Sequence, residues 1–232
     1  AGVTIETVAV CGPPTRAEQT VIDHASRDGA HVVEVSGAVL NALSPVNSPT
    51  GVVATARKPV AEAPTLLQPA PALVLAGFGI QDPGNTGAVI RAAAAAGATG
   101  MLLDEGSADP WGWKALRASM GAVFHLPVLR SRSLLPSLGE WQAAGVRVIA
   151  AVPRGGAPMY DVEFTTPVAV LRGGEGPGLP DDAMDLADAR VTVPMSHAIE
   201  SLNVAVAAAV ILYEARRQRA LGAPKPAMNT AM

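Results

Sequence analysis

Short apolar or β-branched runs alternate along this chain with longer helix-type segments, and the alternation is broken once, by a proline-rich stretch. Residues 3–10 alternate loosely between apolar and polar and predict a strand. Residues 15–28 read as a helix, with Thr15 as its cap and Glu18 three residues on, the spacing of a capping box. The β-branched run 31–35 predicts a second strand, residues 36–43 a short helix and residues 51–56 a third strand. These elements make a small α/β unit. The next stretch holds Pro59, Pro64, Pro69 and Pro71 with almost no periodic pattern, so it reads as a semi-stiff linker. The boundaries expected are 1–58 for a first domain, 59–72 for the linker and 73–232 for a second domain.

In the second domain the strands predicted are 73–76, 100–103, 123–129, 147–151, 168–171 and 190–193. Helices are predicted over 86–96, 110–120, 134–144 and 201–221. Strands alternating with helices imply an α/β fold with a mostly parallel sheet and helices on both faces. Ligands in such sheets bind beyond the carboxyl ends of the strands.

Composition narrows the picture. The 232 residues suffice for one large domain, or for one domain and a smaller one. Hydrophobic residues make up 49% but aromatics only 3%, so the core must be built from Ala, Val, Leu and Ile. Charged residues at 16% fall below the usual quarter, so part of the surface is expected to be small-residue-rich or covered by a partner. The formal net charge of −3 argues against non-specific nucleic-acid binding and leaves a local basic patch as the route to such a partner. Cys11 is the sole cysteine, so no intrachain disulfide forms, and it reads as a buried small hydrophobe in a reducing compartment. No secretory signal opens the chain, and the longest apolar run, 204–213, is too short to span a bilayer. A cytoplasmic protein is expected. The first strand starts almost at once, which points to a missing N-terminal part.

Three separated segments carry the chemistry. The first runs from Asp82 through Asn85 to Arg91, with Gly84 and Gly87 allowing close backbone approach; an ordinary strand-to-helix turn capped by Asn85, with a solvated Arg91, is the bland alternative. The second is Arg172-Gly-Gly-Glu-Gly-Pro-Gly178, whose four glycines within six residues let backbone wrap a ligand, or else make a flexible loop. It lacks the Lys-Ser/Thr of a phosphate-binding P-loop, and Pro177 and Pro180 block the helix that a dinucleotide fingerprint needs, so a nucleotide-dependent oxidoreductase is disfavoured. The third runs from Val193, Pro194 and Met195 to Ser201, Leu202 and Asn203, where Ser201 either caps the last helix or holds a ligand's polar end. No His/Cys cluster has metal-ligand spacing.

In this order the three segments resemble the signature motifs of the SpoU/TrmH-type RNA 2′-O-ribose methyltransferases of the SPOUT superfamily, over roughly residues 73–219. Residues 31–58 resemble the end of the ribosomal-protein-like RNA-binding domain that many members carry, its front incomplete here. The resemblance implies a C-terminal trefoil knot, an exception to the rule that chains avoid knots. It implies S-adenosylmethionine as cofactor, RNA as substrate (rRNA of the large subunit ahead of tRNA), a homodimer, and neither membrane nor metal. It places cofactor contacts at Leu171, Gly173, Gly174, Val193, Met195 and Leu202, and a catalytic set at Asn85, Arg91, Glu175, Ser201 and Asn203, with Arg91 projecting towards the partner's cofactor. Family members carry glycine two residues after the Pro-Met pair where this chain has His197, which keeps a non-catalytic RNA-binding module as the alternative.

The implied reaction needs the 2′-hydroxyl to lose its proton as it attacks. The resemblance puts Arg91 nearest that step, yet a guanidinium rarely gives up a proton. Arg91 is therefore expected chiefly to stabilise the developing alkoxide and the adjacent phosphate. The other role open to it is that of true base, if a phosphate or Glu175 takes up its proton.

Overall fold

The computed structural model describes residues 3–46, 49–196 and 199–222. The chain divides between residues 59 and 60 into two compact units. In the first, β1 (Ile5–Val10) lies between β2 (His31–Glu34), parallel to it, and β3 (Val52–Ala56), antiparallel. Helix α1 (Arg16–Arg27) turns Ile22 and Ala25 onto Val8 and Ala30 to form a small core, and α2 (Gly37–Leu43) starts at a Ser36 cap. The predicted capping box is present: the Thr15 hydroxyl accepts the Glu18 N–H, and the Glu18 carboxylate accepts the Thr15 N–H at 2.7 Å. The Thr15 N–H first, and then the Thr15 hydroxyl, which also donates to that carboxylate at 2.7 Å, hold the Glu18 carboxyl below its ordinary range. Cys11 is half-buried, not fully enclosed as expected.

The second unit is built on a seven-stranded sheet. Its strands are β4 (Leu73–Phe78), β5 (Gly100–Asp104), β6 (Val128–Ser131), β7 (Arg147–Ala151), β8 (Ala157–Pro158), β9 (Val168–Gly173) and β10 (Ala189–Thr192). They lie in the order β6-β5-β4-β9-β7-β10-β8, every neighbouring pair parallel. The helices are α3 (Pro83–Ala96), α4 (Trp113–Ser119), α5 (Leu135–Ala143), α6 (Asp181–Leu186) and α7 (Val204–Gly222). One apolar layer joins Ile90 and Ala93 of α3 and Ile211 and Leu212 of α7 to Leu75, Ile149 and Val170 of the sheet. A second, on the opposite face, joins Leu138 and Trp141 of α5 and Ala183 of α6 to Val74, Val148, Ala169 and Leu171. Both faces of β4 are therefore covered, as its unbroken apolar run requires.

Several elements differ from expectation. Residues 60–72 do not hang as a tether: a 3₁₀ turn at Ala63–Leu67 buries Leu66 completely in the space that Gly100 leaves by having no side chain. The strand expected over 123–129 begins only at Val128 and runs on to Ser131: residues 122–124 form a 3₁₀ turn, and Pro127 offers no N–H and enters the ladder only through its carbonyl, which accepts from the Met101 N–H at 2.9 Å. Pro180, expected to block a helix, precedes one: it sits at the N-cap of α6, with Asp181 and Asp182 favourably placed in the first turn. Near the end of α7, Arg216 and Arg219 bind other elements, while Arg217 pairs with Glu214 of the same helix. Arg216 donates to the Ala95 carbonyl, and Arg219 donates to the carbonyls of Pro71, Ala72, Phe164 and Thr166. Among the described residues no helix is long and apolar enough to cross a membrane.

Candidate active site

Helix α3 leaves β4 towards one face of the sheet, and α6 leaves the adjacent β9 towards the other. That divergence opens a crevice at the carboxyl ends of β4 and β9, where the first two motifs emerge. The first is set by Asp82, whose carboxylate accepts the Asn85 N–H at 2.7 Å and caps α3, with Pro83 at the first helical position. Asn85 is thus not the cap. Its side chain is free to act elsewhere because Pro83, with its fixed φ and missing N–H, assigns the cap to the residue before it. Gly87 serves helix packing: a Cβ there would run into the Ala115 carbonyl of α4.

In the second motif the glycines first satisfy the chain itself. The Gly174 N–H donates to the Phe78 carbonyl at 2.7 Å, and a Cβ at Gly174 would overlap the Gly79 carbonyl. A Cβ at Gly173 would overlap the backbone of Gly178, which pairs with Gly174 to close the loop. Only glycine allows the 174–178 turn to lie against the end of β4. The turn presents Glu175, exposed, towards α3.

The third motif closes the arrangement. Asn203, not Ser201, caps α7: its side-chain oxygen accepts the N–H groups of Ala205 and Val206 at 2.9 and 3.3 Å. With the oxygen so occupied, the Asn203 amide nitrogen points outward and donates to the Asn85 side-chain oxygen at 3.0 Å. The Asn85 amide nitrogen donates in turn to the Glu175 carboxylate at 2.7 Å. The polarity is set from both ends, since a helix N-terminus offers only donors and a carboxylate only accepts. One hydrogen-bonded line therefore ties all three motifs together.

Two concavities flank this line. A polar one, about 710 Å³, is lined by Asp82, Asn85 and Glu175 with Ile80 and Val204. A mainly apolar cleft of about 320 Å³ lies at the ends of β7, β9 and β10 and includes Val193, Met195, Ser201, Leu202 and Ile211. Its one charged lining residue is Arg172, whose Nε is buried with no hydrogen-bond partner among the described residues. Burial lowers the affinity of that guanidinium for its proton.

The expected site residues thus fall into four groups. Asn85, Glu175 and Asn203 are brought together, and Val193, Met195, Ser201 and Leu202 share the apolar cleft. Gly173 and Gly174 support the loop. Leu171 is fully buried in the layer on the α5–α6 side of the sheet, and Arg91 lines neither concavity, lies exposed and bonds to no described residue. His197 lies outside the described residues. Sequence reasoning missed Asp82 as cap and Arg172 as a cleft residue. The second was signalled by alternation: Val168 and Val170 face α7, so the next residue on that face of β9 should be aliphatic, and it is an arginine.

This geometry can be set beside known proteins. Residues 72–213 match the model of the SpoU rRNA Methylase family. The chain belongs to that family. As a SpoU-family chain it is 37% identical over 203 residues to an uncharacterized tRNA/rRNA methyltransferase of Synechocystis, a match covering 85% of this chain and 71% of that protein. It is 40% identical over 137 residues to the 23S rRNA (guanosine(2553)-2′-O)-methyltransferase RlmP of Bacillus subtilis, covering 59% of this chain and 55% of that one. Its match thus spans about half the length of RlmP. Among solved structures, the SpoU methyltransferase AviRb of Streptomyces viridochromogenes, crystallised with AdoMet, superposes with a TM-score of 0.84 at 28% identity, over 95% of this chain and 85% of that one. The SpoU fold and the parallel sheet expected from the sequence are therefore present.

Proposed function

We infer that this chain is an S-adenosylmethionine-dependent RNA 2′-O-methyltransferase acting in the cytoplasm, as a homodimer, on a ribose of large-subunit rRNA. One observation carries the reading: the line from Asn203 through Asn85 to Glu175, which joins three distant motifs beside an apolar cleft. Large-subunit rRNA is favoured over tRNA because RlmP, 40% identical over 137 residues, is a 23S rRNA enzyme, whereas the structure concerned with C/U34 of tRNA is 32% identical and superposes with a TM-score of only 0.57.

The cleft fits the cofactor. Val193, Leu202 and Ile211 supply apolar walls for a purine and its ribose, Met195 and Ser201 flank them, and Arg172 offers an unpartnered N–H. Bound there, the cofactor would supply an electrophilic methyl group on a sulfonium. The chain's residues do the rest. Asn85 and Asn203 hold Glu175 at the polar concavity, where it can accept a hydrogen bond from a ribose hydroxyl. Arg91, on the exposed side of α3, would reach the developing alkoxide and its neighbouring phosphate across the dimer; its exposure and lack of partners among the described residues support that role. The reading includes a C-terminal trefoil knot, and a partial RNA-binding domain in residues 1–58.

The test is to titrate the protein with S-adenosylmethionine, then map ribose methylation in rRNA incubated with both. Stoichiometric binding and one new 2′-O-methyl site are expected. Binding without methylation of any RNA would favour the non-catalytic module.

A further inference from the structure

Arg172 is the penultimate residue of the central strand β9, on the face turned towards α7, and it is the one charged side chain lining the apolar cleft. Its Nε is buried with no hydrogen-bond partner, and its guanidinium donates to no described residue. A guanidinium stays charged even where burial lowers its proton affinity, so the position holds a cation whose donors lack acceptors. Leaving them unmatched is costly, and a ligand that brings an acceptor into the cleft removes the cost.

Resting on the cofactor reading above, we propose that Arg172 is the carboxylate-binding residue of the cleft, taking the methionine carboxylate of S-adenosylmethionine. That carboxylate is the cofactor's one anionic group, and the planar guanidinium fork matches it in shape and charge. The same guanidinium repels the sulfonium and the ammonium. It therefore orients the amino-acid end of the cofactor as well as holding it. The remaining lining, Val193, Leu202 and Ile211 among it, suits an uncharged nucleoside, not a string of phosphates, so the RNA backbone is the weaker candidate.

Calorimetric titration separates these cases, using S-adenosylmethionine and 5′-methylthioadenosine, which keeps the nucleoside and lacks the amino-acid end. Wild-type protein, Arg172→Met and Arg172→Lys are compared. In Arg172→Met, affinity for S-adenosylmethionine is expected to fall about 10- to 100-fold, the size of a lost charge-assisted hydrogen bond. Affinity for methylthioadenosine should stay within about twofold of wild type by the same scale, and Arg172→Lys should recover part of the loss. Unchanged S-adenosylmethionine affinity overturns the proposal, as does an equal loss for both ligands, which would mean a purely structural role. Weakened RNA binding with intact cofactor binding overturns it in favour of a phosphate contact. A wild-type protein that binds neither nucleoside sinks the cofactor reading itself, and the Arg172 assignment with it.

Discussion

The amide nitrogen of Asn203 meets the side-chain oxygen of Asn85 at 3.0 Å, across 118 positions of sequence. Asn203 can do this only because its own oxygen is held by the first turn of α7. The same residue therefore starts a helix and aims the line that ends on Glu175.

The two tasks separate by mutation. Asn203→Asp keeps an oxygen for Ala205 and Val206 but has no donor for Asn85. Thermal stability should hold while methyl transfer falls by on the order of 100-fold, the scale of a lost oriented polar group in an active site. Asn203→Ala removes the cap too and should cost about 1 kcal/mol of stability in denaturant melts. If the Asp variant keeps full turnover, the line is not functional.

Arg91→Lys tests the guanidinium. Arg91 is exposed and bonded to no described residue, so melting temperature and cofactor affinity should not change. Turnover should drop about 100-fold or more, because a lysine cannot bridge an alkoxide and a phosphate with one planar fork. Near-normal turnover would show that charge alone suffices.

Gly174→Ala drives a methyl group into the Gly79 carbonyl. Backbone on both sides leaves little room to yield, so the variant should lose about 2 kcal/mol or more in a denaturant titration, and cofactor binding with it. A loop that served ligand contact alone would lose binding without losing stability.

Arg219 donates to four carbonyls from the 71–72 and 164–166 segments at 2.7–2.8 Å and so pins the end of α7 beneath the sheet. Arg219→Ala strands those acceptors and should destabilise the second unit by about 2–4 kcal/mol. Arg219→Lys, with one point of donation, should recover only part of this.

Glu214 gives a pH signature. Hydrogen bonding from Arg217, aided by Gln218 and opposed by burial, holds its carboxyl below the ordinary carboxylate range. A group whose folded pKa is depressed adds stability that is complete above its unfolded value and is lost as pH falls through the folded one. Stability should thus decline as pH falls through about 4.3, where an unfolded glutamate is half protonated, and Glu214→Gln should flatten that part of the acid limb. An unchanged acid limb in equilibrium unfolding would rule the linkage out.

The sequence by itself determined the α/β alternation, most strands of the parallel sheet and the capping box at Thr15 and Glu18, because these depend on residues a few positions apart. Through the order of their motifs and the family resemblance that this order carries, it also grouped Asn85, Glu175 and Asn203 in one set with Arg91 and Ser201. Tertiary structure alone decided what each residue does there. Asp82 took the cap that Asn85 could have filled, and Asn203 took the one that Ser201 could have filled. Gly173 and Gly174 proved necessary to neighbouring backbone, Leu66 found its place in a gap left by Gly100, and the Arg172 guanidinium came to line a cleft with no partner among the described residues. In each case the deciding contact lies tens of residues away in sequence or turns on which of two nearby groups reaches a donor first. Local periodicity carries no record of either.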